Sequence, residues 1–295
     1  MSCSGPQCAL VTRFIRNLRG GSQAILAEAS DGNIYVVKFA HNLQGPNVLF
    51  NEAMGTELYR SCGLPVPAWS VLRVTDSFMD GNRECWLETG HALQRRPAGL
   101  CFGSRMVKGC GERIFEILPG GYFRRLETPA DFWLAWLVDI CANHSDVRQA
   151  LFCEEASRRL RTVFIDFGHM FGGAKGDAHP HFRASRYTDE RIYPEPAGDC
   201  LLTMWATLSK LNTDQLLSRL AGMPEEWRSP AAERAFAACL DRLSDARFVE
   251  KMFDAMVDSL RRTCEGPTCR DAQWLRPSIL HPCLGATRKR RNAMA

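Results

Sequence analysis

The sequence predicts an α+β fold in which a β-rich N-terminal part with one helix precedes a mostly helical C-terminal part. Its 295 residues are enough for two lobes with a sizeable core. Two strand-like runs, residues 23–29 and 34–39, flank Asp31-Gly32-Asn33, and Asp-Gly between such runs predicts a β-hairpin. From residue 199 to about residue 262, apolar residues recur at helical spacing and predict three or more helices.

One helix and two further strands are expected in the rest of the N-terminal part. Apolar residues recur at helical spacing from about Val48 to Ser61, and Gly63 follows where a helix C-terminus favours a left-handed residue. Residues 68–74 and 84–89 predict two strands, separated by the turn signal Asp80-Gly81-Asn82.

The C-terminal part begins where the character of the sequence changes, near residues 102–108. A helix is predicted over residues 129–142, and Val163–Asp166 predicts a short buried strand. We therefore expect three segments: a β-rich lobe over residues 1–105, a helical lobe over 106–285 and a basic tail over 286–295. The tail carries Arg288, Lys289, Arg290 and Arg291, a run that is typical of a solvated terminus.

The composition favours a globular protein of a reducing cytoplasm. Hydrophobic residues make up 45% and the net charge is +4, which gives no clear sign of nucleic-acid binding. The longest apolar run, Phe132–Val138, is too short to span a bilayer, and no hydrophobic signal segment opens the sequence. Thirteen cysteines without a CxxC pair, together with His179-Pro180-His181, leave a zinc or redox protein as an alternative.

Two groups of residues in the N-terminal part are candidates for contact with phosphate. The turn Gly20-Gly21-Ser22 precedes a strand, and glycines allow backbone N–H groups to cradle phosphate oxygens, although a plain hairpin turn fits equally well. Lys38 ends an apolar strand and could hold phosphate, with Glu52 on the following helix as its ion-pair partner. The alternative for Lys38 is an edge residue that reaches to water.

Two aspartates in the C-terminal part are candidates for the chemistry itself. Asp146 lies in a polar cluster after an apolar helix, where it could accept the proton of an attacking hydroxyl; an ordinary polar loop is the alternative. Asp166 follows three apolar residues, so its carboxylate emerges at the end of a buried strand, where it could bind Mg²⁺. The order and spacing of the two aspartates favour a shared site.

These motifs resemble those of the HipA-like kinases, in the branch of small stand-alone bacterial kinase domains. The resemblance rests on segments that follow one another in the family's order along residues 10–200. After residue 200 the sequence resembles the family only in being helical. The segments are Leu18–Gln23, Val36–Phe39, Asn51–Ala53, Gly63–Pro67, Phe102–Arg105, Asp146–Phe152 and Ile165–His169 with Phe171.

The resemblance implies a bilobal protein-kinase-like fold that binds ATP and Mg²⁺ between the lobes. Its phosphate loop is Gly20-Gly21-Ser22, and Lys38, oriented by Glu52, grips the phosphates. Asp146 is then the general base of a catalytic loop that also contains Arg148 and Gln149, and Asp166 is the metal ligand.

One position departs from the wider pattern. Leu151 stands where related kinases place an asparagine as second metal ligand, so Gln149, or else Asn143, would have to supply the amide oxygen. The resulting prediction is a phosphotransferase that acts on a hydroxyl acceptor, with a protein serine or threonine favoured and a small molecule or lipid as an alternative. Because of Leu151, a pseudokinase that binds nucleotide or protein without turnover remains the other alternative.

Overall fold

The structure is a computed structural model that describes residues 8–90, 92–107, 113–177 and 185–264. It is a mixed fold of α-helices and β-sheets, as the sequence predicts. The strands are β1 (Ala9–Asn17), β2 (Ile25–Ala29), β3 (Ile34–Lys38), β4 (Trp69–Val74), β5 (Leu87–Thr89), β6 (Ala92–Gln94), β7 (Gly99–Arg105), β8 (Ile114–Phe115), β9 (Gln149–Glu154) and β10 (Leu160–Ile165). The helices are α1 (Val48–Ser61), α2 (Asp76–Gly81), α3 (Asp131–Cys141), α4 (Cys200–Leu208), α5 (Thr213–Ala221), α6 (Pro230–Ser244) and α7 (Ala246–Cys264).

A closed five-stranded barrel forms the N-terminal part, with the strand order β1-β2-β3-β7-β4. The β2–β3 hairpin is confirmed, and Gly32 adopts a φ of +76° in its turn. The barrel closes by a short parallel pairing in which Ala9 of β1 lies opposite Leu72 of β4. Its interior is filled by one hydrophobic cluster that includes Ile25 and Val37, which are both fully buried.

Helix α1 lies where the sequence predicts it and belongs to the larger hydrophobic core. Twelve of its fourteen residues are buried, because it packs against the barrel on one side and against α5 and α6 on the other. Gly63 follows it with a φ of +74°, and its N–H donates to the carbonyl of Arg60. The helix therefore carries Glu52 into the interior between the barrel and the C-terminal helices.

The expectation of a single helix in the N-terminal part is wrong, and the strand expected over residues 84–89 is confirmed only over Leu87–Thr89. Residues 76–81 form helix α2, whose N-terminus is capped by the hydroxyl of Thr75, and a strand begins only at Leu87. The predicted turn Asp80-Gly81-Asn82 instead ends this helix, where the side chain of Asn82 donates to the carbonyl of Phe78. Helix α2 adds its apolar residues to the barrel core.

The C-terminal part is mostly helical and also contains the three-stranded sheet β10-β9-β8. Helix α3 is almost wholly buried, and its Trp133 and Trp136 stack on one another in the core. In the described ranges, no helix combines the length and the apolar character that crossing a membrane requires. The basic tail and His179-Pro180-His181 lie outside the described residues.

Candidate active site

Three charged residues predicted from distant parts of the sequence meet in one cluster. Lys38 ends β3, Glu52 lies in the second turn of α1, and Asp166 directly follows β10. The Nζ atom of Lys38 contacts Glu52 Oε1 and lies 2.9 Å from Asp166 Oδ1. Lys38 is 7% exposed and Glu52 2% exposed, whereas the side chain of Asp166 is 32% exposed and reaches the surface of the cluster.

The three groups fix one another's protonation. Burial favours the neutral form of Lys38, but the carboxylates of Asp166 and Glu52 outweigh this effect and raise its pKa above the ordinary value. Burial alone would raise the pKa of Asp166, yet the ammonium of Lys38 holds it well below its usual range. For Glu52 burial dominates and raises the pKa. At neutral pH the cluster therefore pairs a charged lysine with a charged Asp166.

The backbone at Asp166 is left-handed, with a φ of +62°, which is uncommon for a residue with a side chain. The guanidinium of Arg148 stabilises this conformation, because its Nη1 atom donates to the carbonyl oxygen of Ile165 at 2.9 Å and to that of Asp166 at 3.2 Å. Residues held in such conformations cluster at functional sites, where the surrounding structure determines them.

Arg148 is itself held by a buried network. Its Nε and Nη2 atoms donate to the two carboxylate oxygens of Asp139 on α3, at 2.8 and 2.9 Å. The hydroxyl of Tyr59 donates to the same carboxylate, and His144 lies 3.1 Å from Arg148 Nη2. Arg148, which the sequence predicts as part of the catalytic loop, is 2% exposed and faces this network.

Gln149 lies at the exposed edge of the cluster, and Asp146 is half-buried in the loop that precedes it in the sequence. Gln149 opens β9, where it pairs with Ile165, and its Nε2 atom donates to Asp166 Oδ2 at 3.0 Å. Asp146 lies in the loop before β9 and accepts a hydrogen bond from the Val147 N–H at 2.7 Å. Both residues are accessible enough to contact a ligand.

The other candidates for a second metal ligand are placed differently. Leu151 lies within β9 opposite Val163, so it contributes to the sheet. Asn143 follows α3 with a φ of +51°, and its carbonyl accepts a hydrogen bond from the N–H of Gly172 at 3.2 Å. The side-chain amide of Gln149 contacts Asp166 directly.

The segment after Asp166 is fixed against α1 by residues to which the sequence assigned no role of their own. Asn51, fully buried, donates through Nδ2 to the carbonyls of Gly168 at 2.9 Å and Gly173 at 3.2 Å. Gly55 leaves room for Phe167, since a Cβ at position 55 would lie 2.6 Å from that of Phe167. A polar residue or a glycine at a position where the helical pattern of α1 predicts burial is the signal that could have pointed to these two contacts.

The predicted phosphate loop connects β1 and β2. Gly20 adopts a φ of +130°, and the turn closes through hydrogen bonds from the Gln23 N–H to the Gly20 carbonyl and from the Leu18 N–H to the Ala24 carbonyl. Gly21 is exposed and Ser22 half-buried. Gln23 anchors the turn to β5, where its side-chain amide exchanges two 2.8 Å hydrogen bonds with the backbone of Glu88.

The donor set at the cluster suits Mg²⁺ that is shared with phosphate. Asp166 offers a charged carboxylate, and a rotated Gln149 amide offers an oxygen, which are hard ligands of the type that this ion prefers. Among the described residues, no group of three or more histidine, cysteine or acidic side chains could hold a metal by itself. Cys62 and Cys101 are buried, and burial raises the pKa of each thiol to about 12, which disfavours the thiolate that zinc requires.

Comparison with known proteins places the chain by its fold. Neither a protein-family model nor a curated protein matches the sequence. Among solved structures it is similar to the crystal structure of a Helicobacter pylori proinflammatory kinase, CtkA, with a TM-score of 0.54 and 12% sequence identity. The match covers 83% of this chain and 98% of that one. At this identity the similarity concerns the fold alone, and that fold is kinase-like.

Proposed function

We propose that this protein is an ATP- and Mg²⁺-dependent phosphotransferase of the HipA-like kinase type, with the bilobal fold of that family. The observation that carries the proposal is the buried contact of Lys38 with both Glu52 and Asp166, which come from three separate elements. A lysine oriented by a helical glutamate beside a metal-binding aspartate is the arrangement with which kinases hold ATP phosphates.

The residues then take distinct roles in binding. Gly20, Gly21 and Ser22 cover the phosphates with backbone N–H groups, while the Lys38 ammonium, oriented by Glu52, binds phosphate oxygens. Asp166 and the Gln149 amide hold Mg²⁺, which when bound neutralises charge on the phosphate oxygens. Because the Lys38–Asp166 contact must loosen for both groups to reach the nucleotide, ATP binding replaces this contact rather than adding to it.

Asp146 is the general base of the proposed reaction. Its carboxylate accepts the proton of an acceptor hydroxyl while the hydroxyl oxygen bonds to the γ-phosphorus and the bond to the β–γ bridging oxygen breaks, which releases ADP. A protein serine or threonine is the acceptor class that we favour; a small molecule or a lipid head group is the alternative.

A pseudokinase is the second candidate function, and Leu151 supports it. This side chain cannot bind metal, and the Gln149 amide that would replace the missing ligand directs its nitrogen towards Asp166. If the amide does not rotate, the site binds nucleotide with a weakened metal position and turns it over slowly or not at all.

Calorimetry and ATP consumption, measured side by side, test the proposal. The wild type should bind Mg·ATP and consume it, Asp166→Asn should lose Mg²⁺-dependent binding, and Asp146→Asn should retain binding but lose turnover. Asp214→Asn, which changes an exposed aspartate in the first turn of α5, is the matched control and should behave as the wild type. Binding without turnover in the wild type would select the pseudokinase, and absence of Mg·ATP binding would refute both the kinase and a nucleotide-binding pseudokinase.

A further inference from the structure

The peptide group that joins Asp166 to Phe167 is contacted at both of its polar ends. Its carbonyl accepts a hydrogen bond from Arg148 Nη1 at 3.2 Å, and its N–H interacts with the carboxylate of Glu52. The carbonyl and the N–H of a trans peptide point in opposite directions, so Arg148 and Glu52 lie on opposite sides of this group. Arg148 Nη1 also donates to the preceding carbonyl, that of Ile165, at 2.9 Å. These contacts fix the orientation of two successive peptide groups around the left-handed Asp166.

The position of the Arg148 guanidinium is in turn determined by helix α3. Its Nε and Nη2 atoms donate to the two carboxylate oxygens of Asp139, at 2.8 and 2.9 Å. Its Cζ atom lies 5.0 Å from the ring centre of Tyr59 and 4.8 Å from that of Phe167, and both rings are buried. Because a guanidinium is planar and its donors have fixed directions, the pairing with Asp139 also decides where Nη1 points. A buried helix therefore sets the backbone conformation of Asp166 through one side chain.

Arg148 also connects the loop of the proposed general base to the proposed metal ligand. It follows Asp146 by two residues and directly precedes Gln149, whose amide donates to the Asp166 carboxylate at 3.0 Å. Its bonds to the carbonyls of residues 165 and 166 attach this loop to the backbone of Asp166. The spacing between the two aspartates therefore depends on the arginine between them.

We propose that Arg148 is a positioning residue, which holds the backbone of Asp166 so that its carboxylate is directed to Mg²⁺ at a fixed spacing from Asp146. The side chain is 2% exposed and each of its three nitrogens contacts a protein group, so it does not act on substrate itself. The metal and the base in this statement rest on the proposed function, whereas the hold on the backbone rests on the contacts alone. Groups that orient metal ligands contribute about 10–100-fold to metal affinity or activity.

ATP consumption over a Mg²⁺ titration tests the effect on the metal, with Arg148→Lys as the variant. Lysine keeps a cation beside Asp139 but lacks the planar fork that reaches Asp139 and both carbonyls at once. The apparent affinity for Mg²⁺ should fall about 10–100-fold, while the KM for ATP at saturating Mg²⁺ should change little, because Lys38 and the glycine turn are untouched. An unchanged Mg²⁺ dependence, or an equal loss in Mg²⁺ affinity and in the KM for ATP, would overturn the proposal.

Two further variants separate positioning from stability. The double variant Arg148→Met, Asp139→Leu removes both buried charges together, which proteins tolerate better than the loss of one partner, and it should show the same weakening of Mg²⁺ affinity. Met256→Ala opens a cavity at a fully buried position of α7 and is the destabilised control. It should lower the urea midpoint and keep the Mg²⁺ dependence of the wild type; weakened Mg²⁺ affinity in this control would assign the effect to instability and count against Arg148.

Hydrogen exchange of the Phe167 amide, followed by NMR without nucleotide or metal, tests the hold on the backbone by itself. Relative to amides of α7, this buried amide should exchange roughly tenfold faster or more in Arg148→Lys and in the double variant than in the wild type, since a charge-assisted hydrogen bond on its peptide group is lost. Unchanged exchange would refute the positioning role even in an active kinase. A wild type that does not bind Mg·ATP but shows the faster exchange in both variants would refute the proposed function and leave the hold of Arg148 on Asp166 established.

Discussion

Replacing Lys38 by methionine should destabilise the ligand-free protein far more than replacing Asp166 by asparagine. Lys38 is the cation that holds Glu52 and Asp166 together, and the side chains of Lys38 and Glu52 are 9% and 3% exposed. Lys38→Met leaves two carboxylates facing each other without an ammonium between them. Removing one partner of a buried ion pair costs about 3–5 kcal/mol, and we expect a loss in this range.

Asp166→Asn changes much less in the folded state. The asparagine oxygen can still accept the hydrogen bond from Lys38, the Lys38–Glu52 contact remains, and one of two neighbouring negative charges disappears. The expected loss is about 1 kcal/mol or less, which is typical of one exchanged hydrogen bond. The two variants should therefore differ by about 2–4 kcal/mol in the free energy of unfolding.

Urea unfolding without nucleotide, followed by tryptophan fluorescence, measures this difference, with the exposed Lys210→Met as the control. Acidification gives a second signature. With no cation beside it, a buried carboxylate has a raised pKa, so Lys38→Met should regain stability as the pH falls and one carboxylate binds a proton. In the wild type the lowered pKa of Asp166 acts in the opposite sense, and its stabilising contribution is lost on acidification. Equal losses in Lys38→Met and Asp166→Asn would refute the electrostatic reasoning.

Three further outcomes follow from packing and charge around the site. Gly55→Ala should lower the free energy of unfolding by about 1–3 kcal/mol by overpacking against Phe167, although alanine is the better helix former. Gly81→Ala, whose added Cβ has no atom within 4 Å, is the control. Equal urea midpoints for the two variants would contradict the overpacking at position 55. Asp139→Ala should lower the free energy of unfolding in urea by about 3–5 kcal/mol, because it leaves the buried Arg148 guanidinium without its carboxylate. Unchanged stability would show that the Asp139–Arg148 pair does not support the site. Burial lowers the pKa of His144 below 6.5, so the unfolded chain binds a proton at a higher pH than the folded protein does, and the free energy of unfolding should fall as the pH drops through that value. His144→Gln should flatten this pH dependence of stability. Parallel curves of stability against pH for the variant and the wild type would show that His144 is not its cause.

Local signals explain which elements could be predicted from the sequence. Helix α1 and the β2–β3 turn are encoded by nearby residues, and both lie where expected. Strand β1 was not anticipated, because Arg13 and Arg16 interrupt its apolar residues and two irregularities shift its register. In the barrel the guanidinium of Arg13 pairs with Glu28 on the neighbouring strand, which keeps it outside the core. Strand β1 is explained by its pairing with β4, which lies far along the chain and closes the barrel.

The site divides in the same way. Lys38, Glu52 and Asp166 could be predicted because each stands at the end of an element or on the next helix, in a known order. The contacts of Asp139 and Asn51 could not, since the sequence does not reveal the partner of a polar residue within a helix. Their partners, Arg148 and the carbonyls of Gly168 and Gly173, become neighbours only after the chain has folded.

The register of β9 and β10 changes what Leu151 means for catalysis. Gln149 pairs with Ile165, the residue before Asp166, whereas Leu151 pairs with Val163 and so lies one pleat further along the sheet. Side chains two residues apart on a strand share a face but are separated by about 6–7 Å. An asparagine at position 151 would therefore lie further from the Asp166 carboxylate than Gln149 does. In this fold position 149 supplies an amide next to Asp166, the proposed metal ligand, and the presence of leucine at 151 does not by itself remove the proposed second ligand.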